Sequence, residues 1–200
     1  MIIKNIALAG HAGTGKTTLL EALLYQGGCV ERMGSVAAGT TVSDAAPEEI
    51  KRHSSVYTAT GSIMLDGQKI NLLDTPGMFD FAGGMVQGIS AADCVMITVS
   101  GKSGVRVGTK KAYRAAEGKP RMFVVTKLDD ENANFYNVLT ELKSAFGPSV
   151  CPVVVPVIAD RKVDSYINLI EMKAYRYDKD GKAKELTVNN TNRFLKGAFN

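Results

Sequence analysis

The chain opens on a β-rich apolar run, residues 2–9, that stops at Gly10. Leu19, Leu20, Leu23 and Leu24 then recur at the spacing of one helix face, predicting a helix over 17–25. Residues 30–53 are rich in Gly, Ser, Thr and charge with no clear period, which predicts a long loop. Apolar runs at 56–65 and 69–73 flank Asp66-Gly67, a strong two-residue hairpin signal. A Gly-rich turn follows Asp74, then a short helix over 85–92 and a strand over 94–99. The next helix, 105–117, stops before Gly118-Lys119-Pro120. A strand over 121–125, a helix over 135–146 ended by Gly147-Pro148, and a strand over 153–158 complete the alternation. Strands separated by helices imply βαβ units, hence an α/β fold with a mostly parallel sheet. After residue 160 the pattern changes: 166–177 reads as one extended segment, and Asp180-Gly181 as a hairpin turn into 184–188.

Composition narrows the class. With 45% hydrophobic and 22% charged residues in a chain of 200, the sequence can bury a core and is neither disordered nor collagen-like. The longest apolar stretch, 150–159, is broken by Pro152 and Pro156 and falls short of a bilayer span. Met1-Ile2-Ile3-Lys4 carries no basic region followed by an apolar stretch, so no secretory signal is visible. Cys29, Cys94 and Cys151 are odd in number and lack CxxC spacing, which argues against a disulfide framework or zinc site and for a reducing cytoplasm. A net charge of +4 permits a polyanionic partner without requiring one.

Three motifs carry chemistry. Gly10-His11-Ala12-Gly13-Thr14-Gly15-Lys16-Thr17 matches G-x-x-x-x-G-K-[ST], placed directly after a strand and before a helix. Glycines there let successive N–H groups turn around phosphate oxygens, and the helix N-terminus adds its positive dipole end. Lys16 would reach the β- and γ-phosphates, and the Thr17 hydroxyl would hold Mg²⁺. Asp74-Thr75-Pro76-Gly77 ends a strand at the same sheet edge, where the carboxylate can hold Mg²⁺ through water and the Gly77 N–H can contact a γ-phosphate. Lys16 and Gly77 are thus the catalytic candidates. Thr126-Lys127-Leu128-Asp129 follows the strand at 121–125. Asp129 can accept the two hydrogen bonds that guanine offers and adenine does not, while the Lys127 stem covers the base.

P-loop, DTPG and TKLD on successive strand ends resemble a translational GTPase G domain, closest to elongation factor G and its divergent elongation factor G-like branch. Gly10-His11, Thr17-Thr18-Leu19, Asp80-Phe81 and the run Leu169-Ile170-Glu171-Met172-Lys173-Ala174-Tyr175 support the match. The resemblance implies a P-loop, Ras-like α/β domain over 1–160 with helices on both sheet faces. It also implies that 161–200 begins an inserted β-rich subdomain, and that the family's fifth motif lies past Asn200, so this chain should bind nucleotide weakly. GTP or GDP with Mg²⁺ would be held by Gly10, His11, Ala12, Gly13, Thr14, Gly15, Lys16, Thr17, Thr18, Asp74, Gly77, Thr126, Lys127 and Asp129. Thr17, Ser55 and Asp74 would be the metal group, with Ser55 at the family's switch I threonine. The implied protein is a cytoplasmic monomer that couples GTP hydrolysis to a step on the ribosome, with no membrane or DNA partner. Departures are expected to matter. Gly13 stands where elongation factor G has aspartate, Thr126 replaces the asparagine of NKxD, and Met78 replaces the histidine that orients the attacking water. A thioether neither donates a strong hydrogen bond nor acts as a base, so hydrolysis should be slow unless stimulated. A GTP-binding switch with little hydrolysis is therefore the alternative; an ATP-dependent P-loop kinase is opposed by the TKLD segment.

Overall fold

A computed structural model describes residues 2–159, 162–178 and 181–186. Its contacts divide the chain into two compact units, residues 1–127 and 128–200. The first unit contains β1 (Ile3–Gly10), α1 (Lys16–Gln26), α2 (Pro47–Arg52), β2 (Ala59–Leu65), β3 (Gln68–Asp74), α3 (Ala82–Ala91), β4 (Cys94–Ser100), α4 (Val107–Ala115) and β5 (Arg121–Thr126). The five strands hydrogen-bond in the order β2-β3-β1-β4-β5, with β3, β1, β4 and β5 parallel and β2 antiparallel at the edge. The β2–β3 hairpin turns on Asp66 and Gly67, both at positive φ (49 and 73°), as a two-residue primed turn requires.

The sheet is covered on both faces, and alternation along β1 decides which helix goes where. Ala7 and Ala9, with Val95 and Ile97 of β4, pack against Met85 and Ile89 of α3 and Ala112 of α4. Leu8 and Leu72 point the other way, against Leu20 and Leu24 of α1. Consecutive buried residues in β1 are what a parallel strand between two helical layers demands. Leu8 pairs with Asp74, Gly10 with Thr98, and Ser100 with Thr126, so the carboxyl ends of β1, β3, β4 and β5 reach one edge.

The second unit contains α5 (Phe135–Phe146), β6 (Val154–Ala159), β7 (Lys162–Asn168), β8 (Lys173–Tyr177) and β9 (Ala183–Leu186). Asn134 caps α5 by accepting from the Asn137 N–H at 3.0 Å, and the helix buries Phe135, Val138 and Leu142. The four strands form an antiparallel sheet in sequence order.

Four expectations are corrected here. The loop predicted over 30–53 contains α2, started by Pro47 and closed by His53 at φ 50°. The helix predicted from 85 begins at Ala82, after a 3₁₀ turn over Phe79–Phe81, because Gly83 and Gly84 continue the helix instead of breaking it. The extended segment at 166–177 is two strands: the Asn168 carboxamide accepts from Ile170 and Glu171 N–H groups (3.0 and 3.2 Å), and Met172 turns at φ 56°. The strand expected at 153–158 exists as β6, but it pairs with β7. The antiparallel sheet therefore starts before residue 160, and the contact division falls after Lys127. Asp180 and the end of the predicted 184–188 strand lie outside the described residues.

Candidate nucleotide site at the sheet edge

β1 ends at Gly10 and the chain enters α1 through a loop in which Gly13 and Gly15 take φ of 72 and 85°. Left-handed residues alternating with right-handed ones aim N–H groups inward, the geometry of an anion nest. The first helical hydrogen bond of α1 runs from the Leu19 N–H to the Gly15 carbonyl at 2.9 Å, so the Lys16, Thr17 and Thr18 N–H groups precede the ladder. The loop is tied down from two strands. Thr14 Oγ1 donates to the His11 carbonyl at 2.8 Å and lies 2.6 Å from Thr98 Oγ1. The Thr126 hydroxyl donates to the Thr14 carbonyl at 2.7 Å.

Lys16 is buried, and its ammonium donates to the carbonyls of Gly10 (3.4 Å) and His11 (3.1 Å). Burial pulls its pKa below the usual lysine value, opposed by the charges of Asp74 and Asp44. The hydroxyl of Thr17 donates to Asp74 Oδ2 at 2.6 Å, and Ser55 Oγ lies 3.1 Å from Thr17 Oγ1. Thr17, Ser55 and Asp74, 57 residues apart at the extremes, thus meet in one buried cluster. The second carboxylate oxygen of Asp74 is buried without a hydrogen-bond partner. Burial pushes the Asp74 pKa up to about 7 against the Thr17 hydrogen bond and the Lys16 charge. A Cβ on Gly77 would overlap Lys16 Nζ and lie 2.8 Å from the Ala12 nitrogen, so the turn after β3 rests against the P-loop backbone.

Two hydroxyls and one half-satisfied carboxylate make an all-oxygen set suited to a hard divalent cation. No group of three or more His, Cys, Asp or Glu able to hold a metal occurs among the described residues.

The His11 ring lies against Phe79 (centroids 5.7 Å) and Gly108, where a Cβ would come within 2.7 Å of Nδ1. Burial, then the charges of Arg106 and Lys16, lower its pKa. Lys111 sits 4.3 Å above the Phe79 ring. Met78 is half-buried just before the 3₁₀ turn, and His53 is exposed, its Nδ1 3.1 Å from the Val36 carbonyl. Lys127 leaves β5 at φ 55°. Asp129 is exposed in the second unit, where its charge, after burial and Tyr177, helps raise the Tyr166 pKa.

Sequence reasoning passed over three buried carboxylates, Glu21, Asp44 and Glu49. Glu49 accepts from the N–H groups of Ala46 (3.2 Å), Val56 (2.9 Å) and Tyr57 (3.0 Å). Asp44 has its pKa raised by burial against a hydrogen bond from Ser55, and one of its oxygens is unpartnered. Pro47-Glu48-Glu49, a helix-start pattern, was the available signal; nothing local marked Glu21 or Asp44.

A parallel sheet that delivers an anion nest and a cation-suited oxygen cluster to one edge is the arrangement of P-loop nucleotide-binding domains. The chain belongs to the elongation factor Tu GTP binding domain family, whose model matches residues 1–196. It is similar to an elongation factor G-like protein of Mycobacterium tuberculosis, 41% identical over 182 residues covering 90% of this chain and 25% of that protein. Its likeness to an elongation factor G-like protein of Thermotoga maritima is 35% identity over 89% of this chain and 26% of that one. A crystal structure of a Thermus thermophilus protein superposes with a TM-score of 0.90 at 41% identity, covering 97% of this chain and 29% of that chain. The chain thus spans about a quarter of the length of the curated relatives it matches.

Proposed function

We propose that this chain is the nucleotide-binding part of a cytoplasmic, elongation factor G-like translation factor that binds GTP with Mg²⁺ and hydrolyses it in step with the ribosome. The observation that carries the reading is the meeting of Thr17, Ser55 and Asp74 beside the buried Lys16. Ser55 lies in the segment before β2 and Thr17 on α1, so a cation held by both would tie that segment to the P-loop. The names of the similar proteins support a role in translation.

In this reading the P-loop N–H groups of residues 13–18 hold the β-phosphate, and Lys16 binds the β- and γ-phosphates. The Gly77 N–H, pressed against the P-loop, contacts the γ-phosphate. Thr17, Ser55 and Asp74 would hold Mg²⁺. Mg²⁺, when bound, neutralises charge on the phosphate oxygens. Thr126 braces the P-loop through Thr14, and Lys127 and Asp129 read guanine. Met78 favours a second reading, a GTP-operated switch with little hydrolysis, because a thioether donates no hydrogen bond and accepts only weakly, so it does not orient water.

Phosphate release from GTP by the full-length protein, with and without ribosomes, separates the two. Turnover stimulated by ribosomes and lost in Lys16→Ala is expected for a working GTPase. Tight GTP binding with no turnover above Lys16→Ala, and turnover gained by Met78→His, would establish the switch. Displacement of bound GTP by equimolar ATP would overturn both.

A further inference from the structure

Glu21 projects from α1, one turn past Thr17, and is fully buried, yet it belongs to none of the three motifs. Its partners are not on α1. Oε2 accepts the Gly34 N–H at 2.9 Å, and Oε1 accepts the Val42 N–H at 2.7 Å. One carboxylate thus bridges two main-chain positions of the loop that leads through α2 to Ser55. Gly34 is shaped to this contact: a Cβ there would lie 2.6 Å from Glu21 Oε2 and 2.5 Å from the Thr40 carbonyl. A buried carboxylate is tolerable only when hydrogen bonds replace its water, and here the loop backbone supplies them.

We propose that Glu21 is a positioning residue that latches the 34–42 loop onto α1 and thereby delivers Ser55 to Thr17. The inference rests on the reading of Ser55 as a ligand of the GTP-bound cation. α1 carries the phosphate lysine, the cation hydroxyl and the latch within two helical turns, so the loop is registered to the same rigid element that holds the nucleotide. Glu49 performs the matching task at the far end, holding Val56 and Tyr57 beside Ser55. The latch affects GTP rather than GDP, because the P-loop holds both nucleotides and only the γ-phosphate-bound cation needs Ser55.

Two substitutions test it. Glu21→Gln retains one acceptor oxygen and confronts the other N–H with an amide donor. Val42→Pro removes a donor from the loop and leaves α1 untouched; the Val42 side chain is exposed, so no packing is lost. In nucleotide-free protein, hydrogen exchange of the Gly34 amide in both variants, and of Val42 in Glu21→Gln, should quicken about tenfold or more, as loss of a charge-assisted bond implies. The preference for GTP over GDP, read by displacement of a fluorescent nucleotide in the presence of Mg²⁺, should fall about tenfold while GDP affinity stays within about twofold. Unchanged exchange in Glu21→Gln, or equal losses for GTP and GDP, would overturn the latch. An unsubstituted protein with no preference for GTP would sink the reading of Ser55, and exchange at Gly34 and Val42 would still decide what Glu21 holds.

Discussion

The two sheets of this chain bury different things. At the carboxyl edge of the first, Lys16, Thr17, Ser55, Asp74, Thr75, Thr98 and Ser100 are all buried polar residues. In the second sheet the buried strand residues are Val155, Pro156, Ser165, Ile167 and Ala174, and the ion pairs Arg176–Asp164 and Lys173–Glu185 face solvent. Burying a charge is expensive unless a partner repays it, so a buried carboxylate with one oxygen unpartnered, as at Asp74, marks a place where a cation would complete the structure. Exposed pairs on a one-sided sheet contribute little and demand no ligand. The difference supports the phosphate and cation chemistry proposed for the edge of the first sheet.

The strongest test of that division is Lys16→Ala against Lys173→Ala. The first should weaken binding of a fluorescent GDP analogue by about a hundredfold or more, and the second should leave it within about twofold. Comparable losses would erase the contrast. Gly77→Ala comes next. Its Cβ would intrude on Lys16 and the Ala12 nitrogen, so GTP affinity should fall about tenfold, more than GDP affinity, in the same titration.

Asp74 sharpens the comparison through pH. Its pKa rises from 3.8 to about 7 on folding, so the folded chain keeps a proton that the unfolded chain releases. Stability without divalent cation should therefore fall as pH rises between these values, and Mg²⁺ affinity should rise across the same window. In Asp74→Asn the carboxamide oxygen still accepts from Thr17. Its thermal midpoint should lose that part of the decline between about pH 4 and about pH 7, and Mg²⁺ should no longer shift it. The smallest effect is expected in the second sheet. Arg176→Ala breaks a two-pronged contact to Asp164 (2.7 and 2.9 Å) that holds the carboxyl below its usual pKa, yet the pair is exposed. Its thermal midpoint should move by no more than about 1 °C.

Much of this was legible because it is local. The P-loop glycines, the Asp66-Gly67 turn and the leucine stripe of α1 each act within a few residues, and local chemistry leaves a local mark. The metal-type trio was legible for Thr17 and Asp74 from their motifs, and for Ser55 only through family resemblance. What escaped notice was non-local. Asn168 splits a strand by capturing two N–H groups, and β6 takes β7 as its partner rather than the first sheet. No periodicity encodes which sheet a strand joins, since an apolar run suits either.

By itself the sequence determined the alternation of strands and helices in the first unit apart from α2, the glycine-rich G-x-x-x-x-G-K-[ST] loop between β1 and α1, and a thioether at position 78. Those depend on residue type and spacing, which folding does not alter. Tertiary structure alone decided that Ser55 meets Thr17 and Asp74, that Thr126 braces Thr14, and that Glu21 holds Gly34 and Val42. The reason is physical: a buried polar group takes whichever partner the packed backbone presents, and that partner can lie anywhere in the chain.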